Sequence, residues 1–452
     1  MTCSFIPPYL LEQIARADSA AAARMTATLT VDAQLRDQRP AVPHPHPTIA
    51  PTTGAAATVP DWTVHTAKSS TTLPGTEVRG VGDPASGDAA VDEAADGIVG
   101  ALRLYAEVFD RSSFDGAGAP VSLTVHYGRD YVNAFWDGTQ LVFGDGDGEI
   151  FDRFTKPVDV LGHELTHAVT ERTAALRYQG QPGALNESVS DFFGTCLKQW
   201  LLGQTVEAAD WLIGAGLFLP GINARGLRDM ANPGTAYDDP KLGKDPQGAS
   251  MDQYVDTQDD NGGVHLNSGI PNRAFQLAAT AIGGHAWEGA GAVWYAALTG
   301  PADQTGVSAD SDFAGFAAAT VAAAGDHAEA VTRAWQTVGV TPKAGSTVVG
   351  GGTGGTADEN LVSVRRTGGF AGRVAEGAVD LASEDARVPE LRTLVDRIDL
   401  AHVAGGDPHP DMFVYAFDLC GSRAQVPEHH LTPDLSRIAV IVLDAGGGDP
   451  TF

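Results

Sequence analysis

The chain has 452 residues, of which 43% are hydrophobic, and it carries a formal net charge of −28 at pH 7. This length is sufficient for two or three domains with sizeable cores, whereas the negative charge argues against nucleic acid or an anionic membrane as a partner. The three widely spaced cysteines do not suggest a disulfide framework, and no run of 18 apolar residues is present to span a membrane.

The first 60 residues form a distinct segment. Residues 9–36 have the amphipathic pattern of one or two helices, and five prolines between positions 40 and 51 predict an extended linker. Residues 1–11 lack a basic start, and Pro7-Pro8 interrupts any apolar core, so they do not resemble a signal peptide. We therefore expect a cytoplasmic protein by default, with leaderless secretion as the alternative.

The central region divides into two parts with different patterns. Residues 61–160 alternate short β segments with one helix, predicted over 88–109, whereas residues 176–342 are mostly helical and end in an amphipathic helix over 326–339. The predicted fold class is therefore α+β, with a β-rich lobe, a helical lobe and a cleft between them.

The most informative motif is His163-Glu164-Leu165-Thr166-His167. On a helix the two histidines are four positions apart, so that both imidazoles can bind one metal ion. Glu164 lies beside the first histidine, where it could accept a proton from water that zinc activates. The alternative is a surface helix that carries two unrelated histidines.

A zinc site needs at least a third protein ligand, and Glu187 is the next strong candidate. Asp191 follows four positions later on the same helical face, where it can accept the outer N–H of a ligand histidine. The alternative for both acids is a solvated helix face. Two histidines and one glutamate leave the fourth zinc position to water, which is the open geometry of a catalytic site.

This pattern resembles the thermolysin family of zinc metallopeptidases. The resemblance rests on residues 159–171 and Asn186-Glu187, together with the segments 133–136, 144–148 and 260–269 in the family's order. It covers roughly residues 61–342 and implies a two-lobed thermolysin-like catalytic domain that cleaves peptide or protein substrates. The closest agreement is with the protealysin-like branch, because several acids of the calcium-rich members are absent.

The resemblance implies a role for each site residue. His163, His167 and Glu187 hold zinc, Glu164 is the catalytic base, and Asp191 and Asn186 orient the ligands. The residues implied to stabilise the developing oxyanion are His265, which Asp260 orients, and Tyr178. Taken alone, His265 would be an ordinary surface histidine and Tyr178 a core or surface aromatic residue.

Substrate binding is implied at a second set of positions. Asn133 and Ala134 lie on a predicted edge segment, where an extended peptide can pair through its main chain. Arg228 corresponds to the family arginine that binds a substrate carbonyl, although alone it would be read as a surface ion pair. The apolar pocket for the residue after the cleaved bond is implied to comprise Phe151, Phe154, Val160, Ile213 and Leu227, each of which would otherwise be assigned to the core. Such a pocket should prefer Leu, Phe, Ile or Val.

Calcium binding is expected to differ from that of the calcium-rich members. Asp159 and Asp210 match two of their ligands, but Lys198, Leu212 and Ala215 stand where that pattern has acids. Calcium binds through six to eight oxygens, and a lysine in that shell opposes it. The sequence therefore still allows calcium to bind, but we expect the double calcium site of the calcium-rich members to be absent.

The N-terminal segment also resembles a known element. Pro7-Pro8-Tyr9-Leu10 is similar to the short propeptide of protealysin-like enzymes, which blocks the cleft until it is cut. We therefore interpret residues 1–60 as a propeptide with a proline-rich linker and expect the cut within residues 40–65. Cys3 can be read either as a thiolate that caps zinc or as a plain exposed thiol.

A Gly/Thr-rich linker, residues 343–359, separates residues 61–342 from a small α+β unit, residues 360–447. We predict strands over 361–366, 412–418 and 439–443, a helix over 389–398, and a turn or helix over 434–438. Residues 365–372 resemble emfourin, a protein inhibitor of protealysin-like enzymes, with Gly368, Gly369 and Phe370 as the inhibitory element. The alternatives are an ordinary hairpin and an adhesion or substrate-binding module.

The sequence thus predicts a latent zinc endopeptidase that cleaves before hydrophobic residues and is blocked by its own propeptide and C-terminal unit. The alternative is an inactive peptidase scaffold that serves as a binding protein. Such scaffolds usually lose the base or a ligand, whereas Glu164, His163, His167, Glu187 and His265 are all present.

Overall fold

The computed structural model describes residues 4–38, 60–300, 307–343, 360–368, 375–383, 385, 387–395, 397–398, 413–420 and 422–443. They form two compact units, one within residues 1–348 and the other within residues 349–452. None of the helices in these described ranges is long and apolar enough to cross a bilayer.

The N-terminal segment forms two helices, α1 (Pro8–Ala17) and α2 (Ala22–Gln38), as the amphipathic pattern predicts. A proline at the first helical position favours the start of α1, since its fixed φ suits a helix and its missing N–H has no partner there. Leu10, Leu11 and Ile14 are buried in the core of the first unit. The predicted linker residues 39–59 and Cys3 lie outside the described residues.

A five-stranded sheet builds the β-rich lobe, with the order β2-β1-β3-β5-β4. Its strands are β1 (Trp62–Thr66), β2 (Thr76–Gly80), β3 (Val121–Val125), β4 (Ala134–Trp136) and β5 (Gln140–Phe143). The long helix α3 (Ala89–Phe109) begins at Asp88, whose side chain accepts hydrogen bonds from the amides of Ala90 and Val91. Strand β4 lies at an edge of the sheet and pairs with β5, and no other strand of the described residues pairs with it, so its outer edge can bind an extended peptide.

Two long helices, α4 (Val158–Glu171) and α5 (Gly180–Leu202), pack closely on one another. Glycines allow this approach: a Cβ on Gly194 would lie 2.6 Å from the Asp159 carbonyl oxygen, and a Cβ on Gly162 would lie 2.9 Å from the Gly194 Cα. The backbones can therefore come close enough for side chains of both helices to meet at one point.

The helical lobe follows, as predicted. It contains the short antiparallel pairs β6 (Leu212–Ile213) with β7 (Arg228–Asp229) and β8 (Asp238–Asp239) with β9 (Gly243–Lys244). The helices are α6 (Asp260–Asn267), α7 (Gly269–Ile282), α8 (Ala290–Thr299), α9 (Phe313–Ala323) and α10 (Ala328–Thr337).

The second unit is a four-stranded antiparallel sheet with the order β11-β10-β12-β13. Its strands are β10 (Leu361–Gly368), β11 (Ala375–Asp380), β12 (Phe413–Leu419) and β13 (Ser422–Pro427), and its helices are α11 (Val388–Val395) and α12 (Pro433–Leu443). Gly368 ends β10, whereas Gly369 and Phe370 lie outside the described residues.

One predicted strand in this unit is wrong. Residues 439–443 belong to helix α12, because Leu435, Ile438, Ala439 and Val442 are spaced three to four positions apart and are all buried on one face. The apolar run alone does not distinguish a short buried strand from a buried helix segment. Strand β13 was not predicted, and its polar N-terminal half gives little hydrophobic alternation.

Candidate metal centre

Three predicted ligands converge at the contact between α4 and α5. His163 and His167 project from α4 and Glu187 from α5, and their ligand atoms all lie within 4.8 Å of one another. The two Nε2 atoms are 3.0 Å apart, and each lies 3.5 Å from a carboxylate oxygen of Glu187. All three side chains are buried.

This donor set fits a zinc ion. Two neutral imidazole nitrogens and one carboxylate oxygen are the ligands of an open catalytic zinc site. Among the described residues none donates a hydrogen bond to Glu187 Oε2, although this buried atom needs a cation or a donor. Burial lowers the pKa of His167 to about 3, with a further contribution from His163, and this favours the neutral imidazole that a metal requires.

The outer nitrogens of both histidines are held by side chains of α5. His163 Nδ1 is 2.8 Å from Asp191 Oδ1, and His167 Nδ1 is 2.8 Å from Asn186 Oδ1. These contacts turn both Nε2 atoms towards Glu187 and set the orientation of the rings. Although burial raises its pKa, the Arg228 guanidinium beside it holds the pKa of Asp191 well below its ordinary value.

Glu164 is completely buried next to the three ligands. Burial, and then the Glu187 carboxylate, raise its pKa well above the ordinary glutamate value, against the smaller opposing effect of the Trp136 backbone N–H. A carboxylate in this environment is a stronger base than one in water.

The predicted oxyanion-stabilising residues form a hydrogen-bonded group that contacts the ligand Glu187. His265 Nδ1 is 2.6 Å from Asp260 Oδ1, and His265 Nε2 is 3.3 Å from the Tyr178 hydroxyl, which donates a short hydrogen bond to Glu187 Oε1. Burial lowers the pKa of His265, but Asp260 and Glu187 outweigh it and raise this pKa to about 9. Near neutral pH His265 is therefore a charged hydrogen-bond donor.

The cleft is filled by residues 4–6 of the N-terminal segment. Phe5 N donates to Ala134 O (3.0 Å), and Ile6 N donates to Asn133 Oδ1 (2.8 Å). The other contacts come from His265 Nε2, 3.0 Å from Ser4 O, and from Arg228 Nη1, which donates to Phe5 O at 3.3 Å. The predicted substrate residues Asn133, Ala134 and Arg228 thus all bind this backbone.

The Phe5 side chain occupies an apolar pocket and is completely buried. Its ring packs edge-on against Phe154 (6.4 Å) and His163 (5.2 Å), and Phe154 stacks on Phe151 (6.2 Å). A Cβ on Gly214 would lie 3.6 Å from this ring, which places the Ile213–Gly214 turn at the pocket. The remaining pocket candidates, Val160 and Leu227, are buried in the same core cluster.

Two contacts of the site escaped prediction. Ser190 Oγ lies 3.1 Å from His167 Nδ1, and Asn272 Nδ2 donates to Asp191 Oδ2 at 2.8 Å. Ser190 lies three positions after Glu187, and this helical spacing could have indicated it. Asn272 lies far away in the sequence, and nothing in its neighbourhood indicates its contact with the centre.

Lys198, which stands where calcium-rich members have an acid, lies between the two acids that match calcium ligands. The Lys198 ammonium lies 2.8 Å from Asp210 and 3.3 Å from Asp159, and it donates to the Leu212 carbonyl oxygen. The lysine thus places its own positive charge among the oxygens of the two matching acids.

Comparison with known proteins agrees with this geometry. The sequence profile "Thermolysin metallopeptidase, catalytic domain" matches residues 54–171, and "Thermolysin metallopeptidase, alpha-helical domain" matches residues 174–340. An "Extracellular metalloprotease" of Pectobacterium carotovorum subsp. carotovorum is 50% identical over 343 residues, which are 75% of this chain and 96% of that protein. The chain belongs to the thermolysin family of metallopeptidases.

A solved structure supports the same family and the precursor form. The "Precursor of Protealysin, Metalloproteinase from Serratia proteamaculans" matches with a TM-score of 0.67 and 48% identity, covering 75% of this chain and 100% of that chain. As a thermolysin-family enzyme, the protein is a zinc metallopeptidase, and the described residues that could hold its metal ion together are His163, His167 and Glu187.

The expected cytoplasmic location is wrong. The relative from P. carotovorum is named an extracellular enzyme, as is an "Extracellular minor metalloprotease" of Serratia marcescens, 49% identical over 199 residues, which are 44% of this chain and 56% of that protein. The expectation relied on the composition of the first 11 residues, which tests for only one kind of export signal.

Proposed function

We propose that this thermolysin-family enzyme is a latent endopeptidase that acts outside the cell and cleaves peptide bonds before hydrophobic residues. The observation that carries the specificity is the burial of Phe5 in the pocket beside His163, with its backbone bound by Ala134 and Arg228. The extracellular location follows the names of the relatives.

Each side chain then has a defined task. Zinc, when bound, supplies the Lewis acidity that makes water nucleophilic near neutral pH and polarises the scissile carbonyl. Glu164 accepts the proton of the attacking water and returns it to the leaving nitrogen. His265 and Tyr178 donate hydrogen bonds to the carbonyl oxygen as negative charge develops, and Asp260 keeps His265 protonated.

Substrate binding uses groups that are already paired with residues 4–6. Strand β4 offers the Ala134 carbonyl oxygen, and Asn133 and Arg228 bind the next main-chain groups. Because these contacts read the backbone, the apolar pocket determines the preference for the residue after the cleaved bond.

The test uses internally quenched peptides with Phe, Leu or Asp after the scissile bond, and protein whose N-terminal segment has been cut off within residues 40–65. Burial of a Phe or Leu side chain is worth about 2 kcal/mol, so these peptides should be cleaved roughly 10- to 100-fold faster than the Asp peptide. Glu164→Gln should lose about 100-fold or more of the activity, and a zinc chelator should abolish it. No cleavage by the wild type would restore the alternative of an inactive scaffold.

The C-terminal unit is proposed as a second inhibitory element. Support comes from the resemblance of residues 365–372 to emfourin and from the linker, residues 343–359. A linker of this length and Gly/Thr-rich composition would give an effective concentration on the order of millimolar, at which even a weak inhibitor could act on the catalytic domain. We retain residues 1–60, 61–342, 343–359 and 360–447 as the proposed division of the chain.

A chain that ends at Gly345 tests this second element. After removal of the N-terminal segment, the shortened chain should cleave the Phe peptide faster than the longer one. Equal activities would contradict inhibition by this unit and favour an adhesion or substrate-binding module.

A further inference from the structure

Residues 4–6 of the N-terminal segment are bound to the site in the way that a peptide substrate would be. The contacts alternate along the backbone: Ser4 O faces His265, Phe5 N pairs with Ala134, Phe5 O faces Arg228, and Ile6 N pairs with Asn133. Asn133 Nδ2 also donates to Ile6 O at 3.3 Å. The segment therefore lies along the edge of β4 in one defined register, held by one main-chain hydrogen bond to Ala134 and by the side chains of Asn133, Arg228 and His265.

This register places one particular peptide bond at the reacting centre. His265 Nε2 lies 3.0 Å from Ser4 O and 3.5 Å from the ligand atom Glu187 Oε2. The Ser4 carbonyl group is thus beside the ligands, with its oxygen at the donor that would stabilise an oxyanion. The next side chain, Phe5, fills the apolar pocket, as the residue after a cleaved bond should.

We propose that the peptide bond between Ser4 and Phe5 is a self-cleavage site of the enzyme. Water adds through its oxygen to the Ser4 carbonyl carbon, and the bond from that carbon to the Phe5 nitrogen breaks. Glu164 takes a proton from the water and passes it to the Phe5 nitrogen, so that Ser4 leaves as a carboxylic acid and Phe5 becomes the new N-terminus. The inference rests on the proposed endopeptidase function.

The cut would not release the rest of the segment, because α1 and α2 have their own contacts with the enzyme. The Asp32 carboxylate accepts hydrogen bonds from Asn133 Nδ2 (2.9 Å) and the Tyr131 hydroxyl (2.5 Å), and Val132 N donates to Thr28 Oγ1 (3.2 Å). Ion pairs join Arg24 to Glu149 and Asp18 to Lys241. The shortened segment should therefore stay in the cleft, with the Phe5 nitrogen still at Ala134 O.

The experiment follows the intact mass of the zinc-loaded full-length chain over time, with N-terminal sequencing of the product. In the wild type, a species that begins at Phe5 should accumulate. In Glu164→Gln, which keeps the shape of the side chain, it should form about 100-fold more slowly. Because the bond is already bound in the same molecule, the rate should not change when the protein is diluted tenfold.

Two variants of the N-terminal segment serve as matched controls. Phe5→Leu keeps an apolar side chain for the pocket and should still be cut, whereas Phe5→Asp should not be cut between residues 4 and 5. Each sample is also assayed with the quenched Phe peptide after its N-terminal segment has been removed.

The outcomes separate the inference from the proposed function. An intact bond between Ser4 and Phe5 in a wild-type sample that cleaves the quenched peptide would overturn the inference alone. A rate that rises in proportion to protein concentration would overturn cleavage within one molecule. If neither the bond nor the peptide is cut, the proposed function fails, and the inference fails with it.

Discussion

At the scale of single residues, charge and burial decide what the centre can do. Glu164 and His265 are both buried with the candidate metal ligands, and their environments move both pKa values upwards. The first is a stronger base and the second a charged hydrogen-bond donor, which are the properties that the proposed mechanism requires of these two residues. Their identities were predicted from the sequence, but the burial that produces these shifts is a tertiary property.

Lys198 leads to a prediction about stability. Its side chain is only 12% exposed and lies against the fully buried Asp159, so Lys198→Met leaves a buried carboxylate without its counter-charge and should lower the free energy of unfolding by about 3 kcal/mol. Adding Asp159→Asn should recover part of this loss. Denaturant unfolding measures both effects, and Lys241→Met, which removes the more exposed pair with Asp18, should cost less than about 1 kcal/mol.

The same lysine predicts the response to calcium. Millimolar calcium should leave the melting temperature of the wild-type protein unchanged, because Lys198 already provides a positive charge between Asp159 and Asp210. A rise of several degrees on addition of calcium, reversed by a calcium chelator, would contradict this expectation.

His126 makes stability depend on pH. Its hydrogen bond to Asp145, and the nearby charge of Asp88, raise its pKa above the ordinary value against the effect of burial. The group is more easily protonated in the folded state, so its contribution is complete below the unfolded pKa of about 6.5 and is lost as the pH rises through the folded pKa.

His126→Asn should therefore destabilise the protein by at most about 1 kcal/mol at low pH and by less at high pH. Asparagine is suitable because His126 has a φ of 55°, which this residue tolerates. Melting temperatures at several pH values measure the difference, and the exposed His327→Asn is the matched control. If the melting temperatures of wild type and His126→Asn instead differed more as the pH rises, the predicted pH dependence would be wrong.

At the scale of secondary-structure elements, the site depends on two close approaches. Gly162 and Gly194 bring α4 and α5 together, so that Glu187 meets the two histidines. The edge strand β4 binds residues 4–6 through the Ala134 carbonyl oxygen. The HExxH motif and the alternating β segments predicted these elements, whereas the short strand pairs of the helical lobe carry no periodic signal.

Helix α2 yields a prediction about latency. Asp32 accepts hydrogen bonds from Asn133 and Tyr131, and charged hydrogen bonds of this kind contribute about 1.5–3 kcal/mol. Asp32→Ala should therefore weaken the binding of the N-terminal segment to the catalytic cleft. The basal activity of the full-length chain should then rise about tenfold or more. Gln34→Ala, at an exposed position of the same helix, is the matched control, and equal activities of the two variants would contradict a role for Asp32.

At the scale of the whole molecule, the chain contains two units, each with its own hydrophobic core. The candidate metal ligands His163, His167 and Glu187 belong to the first unit, and the second has a separate hydrophobic cluster built from its sheet and from α11 and α12. The units should therefore unfold as separate cooperative transitions.

Removal of zinc tests this separation. A ligand that binds only the folded state stabilises it by mass action, so a zinc chelator should shift the calorimetric transition of the first unit to lower temperature. The transition of the second unit should stay in place. A chain that ends at Gly345 identifies which transition is which, and a shift of both transitions together would contradict independent units.

The sequence by itself determined the family and the two lobes, and it indicated the three residues that the structure brings together as a possible zinc site, because a helical spacing of four and ordered motifs are local properties of the chain. The tertiary structure decided which distant groups complete the site. Asn272 contacts Asp191 from α7, and Phe5 enters the apolar pocket. Such contacts join residues up to 261 positions apart, as between Ser4 and His265, and no pattern along the chain encodes them. Helix α12 is a further example: its apolar run is compatible with a strand or a helix, and only packing against the sheet decided that it is helical.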